Sequence, residues 1–225
     1  MMLSMDRWAT FDCYGTLIDW NGGIGRELER LFGADRAASL LHRYHEVEPQ
    51  VQRENPAAAY RDVLALTLAR LADVPPGEDD ALGRSLPGWQ PFPEVRESLE
   101  EARAGGWKLA ILSNTDRDFI DASMARIGVP FELAVVASEI GSYKPAHRHW
   151  EEFYARTGAD RSRHVHVGAS LFHDVAPACE LGLPTIWVNR LGEEARPRPD
   201  VELRSLSGLA RARRREPLPR RRPRT

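Results

Sequence analysis

The chain has 225 residues, of which 42% are hydrophobic and 28% are charged. This length and composition are typical of one core domain with a modest insertion, and they exclude collagen-like, fibrous and disulfide-scaffold proteins as well as a membrane span of about 20 apolar residues. The net charge of −2 divides into +7 over residues 211–225 and −9 over the remainder, which disfavours a specific nucleic-acid-binding domain.

Five short apolar runs predict buried strands, and they cover residues 8–11, 108–113, 133–138, 164–170 and 184–189. Helical patterns that end near glycine follow the later strands, over residues 93–106, 117–128, 146–158 and 173–182. Alternating strands and helices predict an α/β fold, with a Rossmann-like parallel sheet and helices on both faces.

One segment interrupts this alternation between the first two strands. Residues 20–86 contain helical stretches around 24–51 and 57–72 without a strand, so we expect a small helical cap inserted after strand 1. The predicted core covers residues 1–19 and 87–210, with one further turn after the last strand. Residues 211–225 are rich in Arg and Pro and are expected to form a disordered tail.

The polar residues that follow the predicted strands are the candidates for chemistry, because ligands bind beyond the carboxyl ends of parallel strands. Asp12 follows the first strand, and a carboxylate there is a candidate nucleophile. Lys144 is expected to keep it ionised, while Ser113 and Asn114 donate hydrogen bonds to a substrate anion or leaving group. Asp174 is expected to position water, Lys144 or a cation.

Four segments in chain order carry a family resemblance: FDCYGTL at 11–17, LSN at 112–114, YKP at 143–145 and VGASLFHDV at 167–175. Together they resemble the haloacid dehalogenase superfamily from about residue 7 to residue 190. The resemblance implies a hydrolase with Asp12 as nucleophile and a helical cap after the first motif.

Two departures from the superfamily's phosphatases favour one of its branches. Those phosphatases carry an acidic proton donor where this chain has Tyr14, and a second acid where it has Ala169. The form D-x-Y-G-T-L is most similar to the L-2-haloacid dehalogenase branch, which implies chemistry without a cofactor. A third difference separates the chain from that branch, since Leu171 replaces an asparagine that helps to hold the hydrolytic water.

The resemblance also implies a set of substrate contacts. A cap arginine that grips halide in the family corresponds to Arg43, and His173 falls where those enzymes have an aromatic pocket residue. The other expected substrate-binding residues are Tyr14, Thr16 and Ser170.

The leading hypothesis is displacement of halide from a small 2-haloalkanoate, an anionic substrate. Asn114 and Arg43 would hold the departing halide. An alternative is a phosphatase for a small phosphometabolite, in which Asp12 and Asp174 hold Mg²⁺. A third hypothesis is a catalytically weak binding protein, suggested by Ala169 and Leu171.

Cellular context and partners follow from weaker signals. The segment MMLSMDRWATF does not resemble a secretory signal, and two cysteines are too few for a disulfide framework, so we expect a cytoplasmic protein without membrane attachment. The cap helices offer a surface for a homodimer. His164 and His166 alternate along a predicted strand and are expected to be structural, since no further metal ligand has suitable spacing.

Overall fold

A computed structural model describes residues 6–209, so the predicted tail at 211–225 and residues 1–5 and 210 of the predicted core lie outside the described residues. The described part contains a parallel sheet with the strand order β3-β2-β1-β4-β5-β6. The strands are β1 Arg7–Phe11, β2 Trp107–Ser113, β3 Leu133–Val136, β4 His164–Gly168, β5 Thr185–Val188 and β6 Val201–Leu203. The predicted α/β fold class is therefore confirmed.

The sixth strand differs from the expectation of a simple turn after the last apolar run. β6 pairs in parallel with β5, from Val201 opposite Ile186 to Leu203 opposite Val188. It has only three residues and is not fully buried, so it lacks the apolar run that marks the other strands.

The helices follow the predicted order with small differences in their ends. They are α1 Trp20–Phe32, α2 Ala34–Glu54, α3 Tyr60–Leu71, α4 Ala81–Ser85, α5 Val95–Ala104, α6 Arg117–Ile127, α7 Ala137–Ile140, α8 Arg148–Thr157 and α9 Ala176–Glu180. The helical stretch expected around 24–51 is two helices divided at Gly33, and α7 replaces the end of the predicted third strand. A π-helical turn, Leu171–Val175, precedes α9.

Alternating side chains of the strands separate two apolar layers. Ala9 and Phe11 of β1 belong to the larger layer, which includes residues of α5, α6 and the inserted helices. Trp8 belongs to the smaller layer with Trp150 and Phe153 of α8. Because successive strand residues point to opposite faces, helices cover both sides of the sheet.

The inserted helices α1–α4, called the cap below, are anchored to the core by the carboxylate of Asp116, which follows β2. Its oxygens accept hydrogen bonds from the backbone N–H groups of Tyr60 and Arg61 at 2.9 and 3.1 Å. These are the first N–H groups of α3, which have no partner inside the helix. A second link is the Tyr143 hydroxyl, which donates to the Ala58 carbonyl at 3.0 Å.

Within residues 6–209, none of the helices combines the length and the apolar character that a membrane crossing requires.

Candidate active site

A cavity of about 230 Å³ lies between the carboxyl edge of the sheet and the cap. The predicted site residues that line it are Asp12, Tyr14, Ser113, Asn114, Lys144, Ser170, His173 and Asp174. The cap contributes Trp20, His45, Glu48, Pro49, Gln52 and Tyr60. The carboxyl ends of β1, β2 and β4 meet at this edge because β1 pairs with β2 on one side and with β4 on the other.

The ammonium group of Lys144 lies between two carboxylates. Its Nζ donates to Asp12 Oδ1 at 2.9 Å and to Asp174 Oδ1 at 2.6 Å. A third hydrogen bond, at 2.8 Å, goes to the carbonyl oxygen of Leu112. All three donors of the ammonium group therefore have protein acceptors.

The two carboxylates differ in their access to the cavity. The side chain of Asp12 is 13% exposed, whereas those of Lys144 and Asp174 are each 1% exposed. The Thr16 hydroxyl donates to Asp12 Oδ2 at 2.8 Å and accepts the N–H of Ala169 at 2.9 Å. Asp12 is thus held at both oxygens and is the more exposed carboxylate of the pair.

The electrostatic surroundings also separate the two acids. Burial raises the pKa of Asp12 to about 6; the charge of Lys144 opposes this effect and the charge of Asp174 adds to it. Burial also acts to raise the pKa of Asp174, but Lys144 and the hydrogen bond from His166 outweigh it and lower that pKa. Asp174 is therefore the permanent counter-ion of Lys144, while Asp12 is ionised above pH 6.

Asp174 lies at one end of a buried row of hydrogen-bonded side chains, whose other members belong to β1 and β4. His166 Nε2 lies 3.5 Å from Asp174 Oδ1, and His166 Nδ1 lies 2.8 Å from the Thr10 hydroxyl. The same hydroxyl is 2.7 Å from His164 Nε2. Burial lowers the pKa of both histidines, so they are neutral and paired. The structural role predicted for them agrees with this arrangement.

Ser113 and Asn114 bring polar groups from the end of β2. The Ser113 hydroxyl oxygen is buried without a hydrogen-bond partner among the described residues. Asn114 Oδ1 accepts the N–H of Lys144 at 2.6 Å, and Asn114 Nδ2 donates to the Lys144 carbonyl at 3.0 Å. Since a side-chain amide carries two N–H donors, Asn114 both positions Lys144 and retains one donor for a ligand.

The loop and π-helical turn after β4 complete the floor of the cavity. The Ser170 hydroxyl accepts the N–H of His173 at 3.0 Å, and the Ser170 N–H donates to Asp174 Oδ2 at 3.2 Å. Burial lowers the pKa of His173 to about 4. His173 is therefore a neutral imidazole at the cavity wall.

Tyr14 faces the cavity with its ring, while its hydroxyl is directed elsewhere. The hydroxyl lies 3.0 Å from the Ser123 hydroxyl, and the ring stacks on Tyr60 and meets Trp89 edge-on. Burial raises the pKa of Tyr14 well above its ordinary value. Tyr14, which stands where the phosphatases have their proton donor, thus contributes an aromatic ring to the cavity wall.

Two predicted substrate contacts require correction. Arg43 does not line the cavity; its guanidinium is directed toward α3 and donates to the Leu71 carbonyl at 3.3 Å. Thr16 is fully buried, with its hydroxyl engaged by Asp12 and Ala169. Thr16 is a positioning residue, and neither side chain lines the cavity.

Sequence reasoning missed the lining residues that α2 supplies. His45, Glu48, Pro49 and Gln52 of α2 line the cavity, and the spacing of these positions puts them on one face of a helix. Glu48 and Arg43 are five residues apart, which directs them to different sides of α2. Glu48 is a charged residue among apolar neighbours on the buried face of α2. This pattern is the signal in the sequence that could have identified the residues of this wall.

The residues around Asp12 do not fit a Mg²⁺ site. Within the described range 6–209, no three side chains of His, Cys, Asp or Glu form a group that could hold a metal ion. Asp12 and Asp174 both accept hydrogen bonds from Lys144, so one positive charge already lies between them and offsets part of their negative charge. Mg²⁺ is usually held by one or two carboxylates with several waters, and both carboxylates here already have the Lys144 ammonium as their partner.

Comparison with known proteins agrees with this geometry. A family model described as haloacid dehalogenase-like hydrolase matches residues 7–182. The chain is 34% identical over 211 residues to the (S)-2-haloacid dehalogenase of Pseudomonas sp. (strain YL), covering 88% of this chain and 90% of the relative. It is 25% identical over 201 residues to the (S)-2-haloacid dehalogenase 4A of Burkholderia cepacia, covering 85% and 86%.

A solved structure has the same fold. The L-2-haloacid dehalogenase of Xanthobacter autotrophicus superposes with a TM-score of 0.80 at 22% identity, covering 94% of this chain and 100% of the other. With the family model matching most of the chain, and with Asp12, Lys144 and Asp174 joined at the sheet edge, the chain belongs to the haloacid dehalogenase-like hydrolases.

Proposed function

We propose that this hydrolase cleaves the carbon–halogen bond of a small (S)-2-haloalkanoate, with Asp12 as nucleophile and without a metal ion. The relatives named as (S)-2-haloacid dehalogenases support the substrate class and its configuration. The contacts of Lys144 and Thr16 support the role of Asp12, because they orient both of its oxygens and because Asp12 is more exposed than Asp174.

The observation that carries the proposal is the environment of Tyr14. Its hydroxyl is bonded to Ser123 and its pKa is raised by burial, so no acidic group occupies the position from which an alkoxide leaving group would be protonated. A halide leaves as a stable anion and needs no proton. The site therefore favours a halide over the alcohol of a phosphate ester.

In the first step, an Asp12 carboxylate oxygen attacks C2 of the substrate from the side opposite the halogen. The new C–O bond forms as the C–X bond breaks, and its electron pair departs with the halide, so the configuration at C2 inverts. The free N–H of Asn114 is available to the departing halide, and the unpartnered hydroxyl of Ser113 is available to the substrate carboxylate.

In the second step, water adds to the carboxyl carbon of the Asp12 ester. The bond from that carbon to the alkoxy oxygen breaks, the 2-hydroxyalkanoate leaves, and one proton is released. Neutral His173 and the carboxylate of Asp174 belong to the π-helical turn after β4, and both line the cavity. In the proposed mechanism these two groups orient the water. Solvent oxygen is thereby incorporated into Asp12 in a first turnover.

The test is halide release from the separate enantiomers of 2-chloropropionate, with chelator and with Mg²⁺, beside p-nitrophenyl phosphate hydrolysis. We expect halide from the S enantiomer alone, R-lactate as product, and equal rates with chelator. Phosphate release that depends on Mg²⁺, without halide release, would overturn the proposal.

A single-turnover experiment in heavy-oxygen water tests the nucleophile directly. With enzyme in excess, we expect the label in the peptide that contains Asp12 and not in the product. Asp12→Asn should release no halide. Label found first in the hydroxy acid would indicate direct attack by water and contradict the covalent mechanism.

A further inference from the structure

The cap places a third carboxylate against the cavity, opposite the catalytic edge of the sheet. Glu48 of α2 is 5% exposed and lines the cavity. Its Oε1 accepts a hydrogen bond from Gln52 Nε2, one turn further along the same helix. Burial raises the pKa of Glu48 to about 7, and no positively charged side chain among the described residues acts to lower it.

The described lining residues leave no free positive charge for Glu48. Lys144 supplies the single ammonium among them, and its three donors are engaged by Asp12, Asp174 and Leu112. Burial lowers the pKa of the two lining histidines, His45 and His173, so neither is a cation at neutral pH. With Glu48 ionised, three carboxylates face one ammonium and the cavity wall is net negative.

The aromatic side chains of Trp20, Tyr14 and Tyr60 line the same cavity as Glu48. Trp20 lies 5.2 Å from the His45 ring, between centroids, and its indole N–H donates to the Tyr60 hydroxyl at 3.2 Å. Tyr14 and Tyr60 stack with 6.3 Å between ring centroids. A cavity that combines aromatic rings with a buried carboxylate can bind an ammonium group, through cation–π attraction and charge-assisted hydrogen bonds.

We propose that Glu48 determines substrate specificity by binding a positively charged ammonium group at the end of the substrate remote from the reacting carbon. The proposal rests on the proposed function, in which Asp12 attacks the halogen-bearing carbon. It narrows the substrate class to 2-haloalkanoates that carry an amino group. The substrate's ammonium group then supplies the counter-charge that Glu48 lacks within the protein.

Binding of propylammonium tests the site without any need for turnover. Propionate and 1-propanol, of similar size, are the negatively charged and neutral comparison probes, and titration is carried out above pH 7, where Glu48 is ionised. We expect propylammonium to bind more tightly than both other probes. Glu48→Gln should weaken its binding by roughly tenfold or more, because the substitution removes the charge and keeps the shape.

The matched control is Glu46→Gln on the same helix. The Glu46 side chain is 64% exposed and lies near His42, outside the cavity lining. This variant should bind all three probes as the unaltered protein does. Thermal melting of both variants checks folding, so that a loss confined to propylammonium reports the site itself.

The outcomes separate this inference from the proposed function. The ammonium site would be overturned if propylammonium and 1-propanol bind equally tightly, or if Glu48→Gln binds propylammonium as tightly as the unaltered protein does. Either result would count against it even if halide is released from 2-chloropropionate. Glu48-dependent binding of propylammonium without halide release from any 2-haloalkanoate would retain the site and overturn the proposed function. If the ammonium site and the proposed function are both correct, a 2-haloalkanoate that carries an amino group should have a higher kcat/KM than the same compound without it. Glu48→Gln should remove that preference.

Discussion

At the scale of single residues, the division of labour between Asp12 and Asp174 depends on burial and hydrogen bonding. Both carboxylates contact Lys144, yet only Asp12 reaches the cavity to an appreciable extent. Asp174 receives the Ser170 N–H and lies beside His166 in addition to Lys144, which stabilises its charge. A permanently ionised acid can hold Lys144 in place while the other acid forms and loses an ester.

The first prediction concerns pH. Because burial raises the pKa of Asp12 to about 6 and its protonated form cannot attack carbon, kcat/KM should rise with pH and reach half its plateau near pH 6. Thr16→Val removes a hydrogen bond that lowers this pKa, so the rise should move to higher pH. The pH profile of halide release measures both effects.

Thr67→Val is the matched control for that experiment. It removes a buried threonine hydroxyl in α3 that donates to the Val63 carbonyl at 2.7 Å, away from Asp12. Its pH profile should coincide with that of the unaltered protein. An unchanged profile in Thr16→Val would show that the Thr16 hydroxyl does not govern Asp12.

The second prediction concerns the buried charge of Lys144. Lys144→Met leaves Asp12 and Asp174 without a counter-ion and should lower the free energy of unfolding by about 3–5 kcal/mol, with loss of halide release. Adding Asp174→Asn removes one of the uncompensated charges and should recover part of the stability but no activity. Urea unfolding of the single and double variants tests this, and equal stability of the two would contradict the coupling.

At the scale of elements, α1 approaches the core closely at a glycine. A Cβ atom built on Gly23 would lie 2.3 Å from the Trp89 ring, whereas one on Gly25 would lie 3.7 Å from its nearest neighbour, in Leu41. Trp89 meets Tyr14 edge-on, with 6.2 Å between ring centroids. The packing of α1 is thereby connected to the aromatic wall of the site.

The third prediction compares these two glycines. Gly23→Ala should displace Trp89 and lower the free energy of unfolding by about 1–3 kcal/mol. Gly25→Ala fits its surroundings and should be neutral or stabilising by up to about 1 kcal/mol, since alanine favours helix over glycine. Thermal or urea unfolding measures the difference, and similar stability of the two variants would contradict the packing argument.

At the scale of the whole molecule, the cavity exists because the core and the cap are held together. Asp116 of the core accepts the first backbone N–H groups of α3 and also the Arg61 Nε–H at 3.0 Å. Asp118 contacts Arg61 as well, at 2.6 Å, but its side chain is 64% exposed. One carboxylate therefore replaces the missing N-cap of a cap helix, while the other forms a surface ion pair.

The fourth prediction follows from this difference. Asp116→Ala should lower the free energy of unfolding by about 2 kcal/mol and raise KM, because α3 carries Tyr60 of the cavity wall. Asp118→Ala should cost less than about 1 kcal/mol and leave KM unchanged. Unfolding and steady-state kinetics of the pair test this; equal effects would show that Asp116 does not anchor the cap.

The order of elements and the catalytic edge could be predicted from the sequence, because apolar runs mark buried strands and polar residues at their ends mark the edge where ligands bind. Asp12, Lys144 and Asp174 were expected at one site on this basis, and they are joined there by hydrogen bonds. β6 escaped prediction because a three-residue, half-exposed strand has no distinctive pattern.

The cap wall was decided by the tertiary structure. The direction of a helical side chain depends on the rotation of the helix against its neighbours, and α2 turns Glu48 into the cavity and Arg43 toward Leu71. Tertiary structure also decided the role of Thr16, because its hydroxyl is buried against the loop after β4, where it accepts the N–H of Ala169. Local sequence thus determined which chemistry the sheet edge carries, whereas packing between distant segments decided which side chains face the substrate.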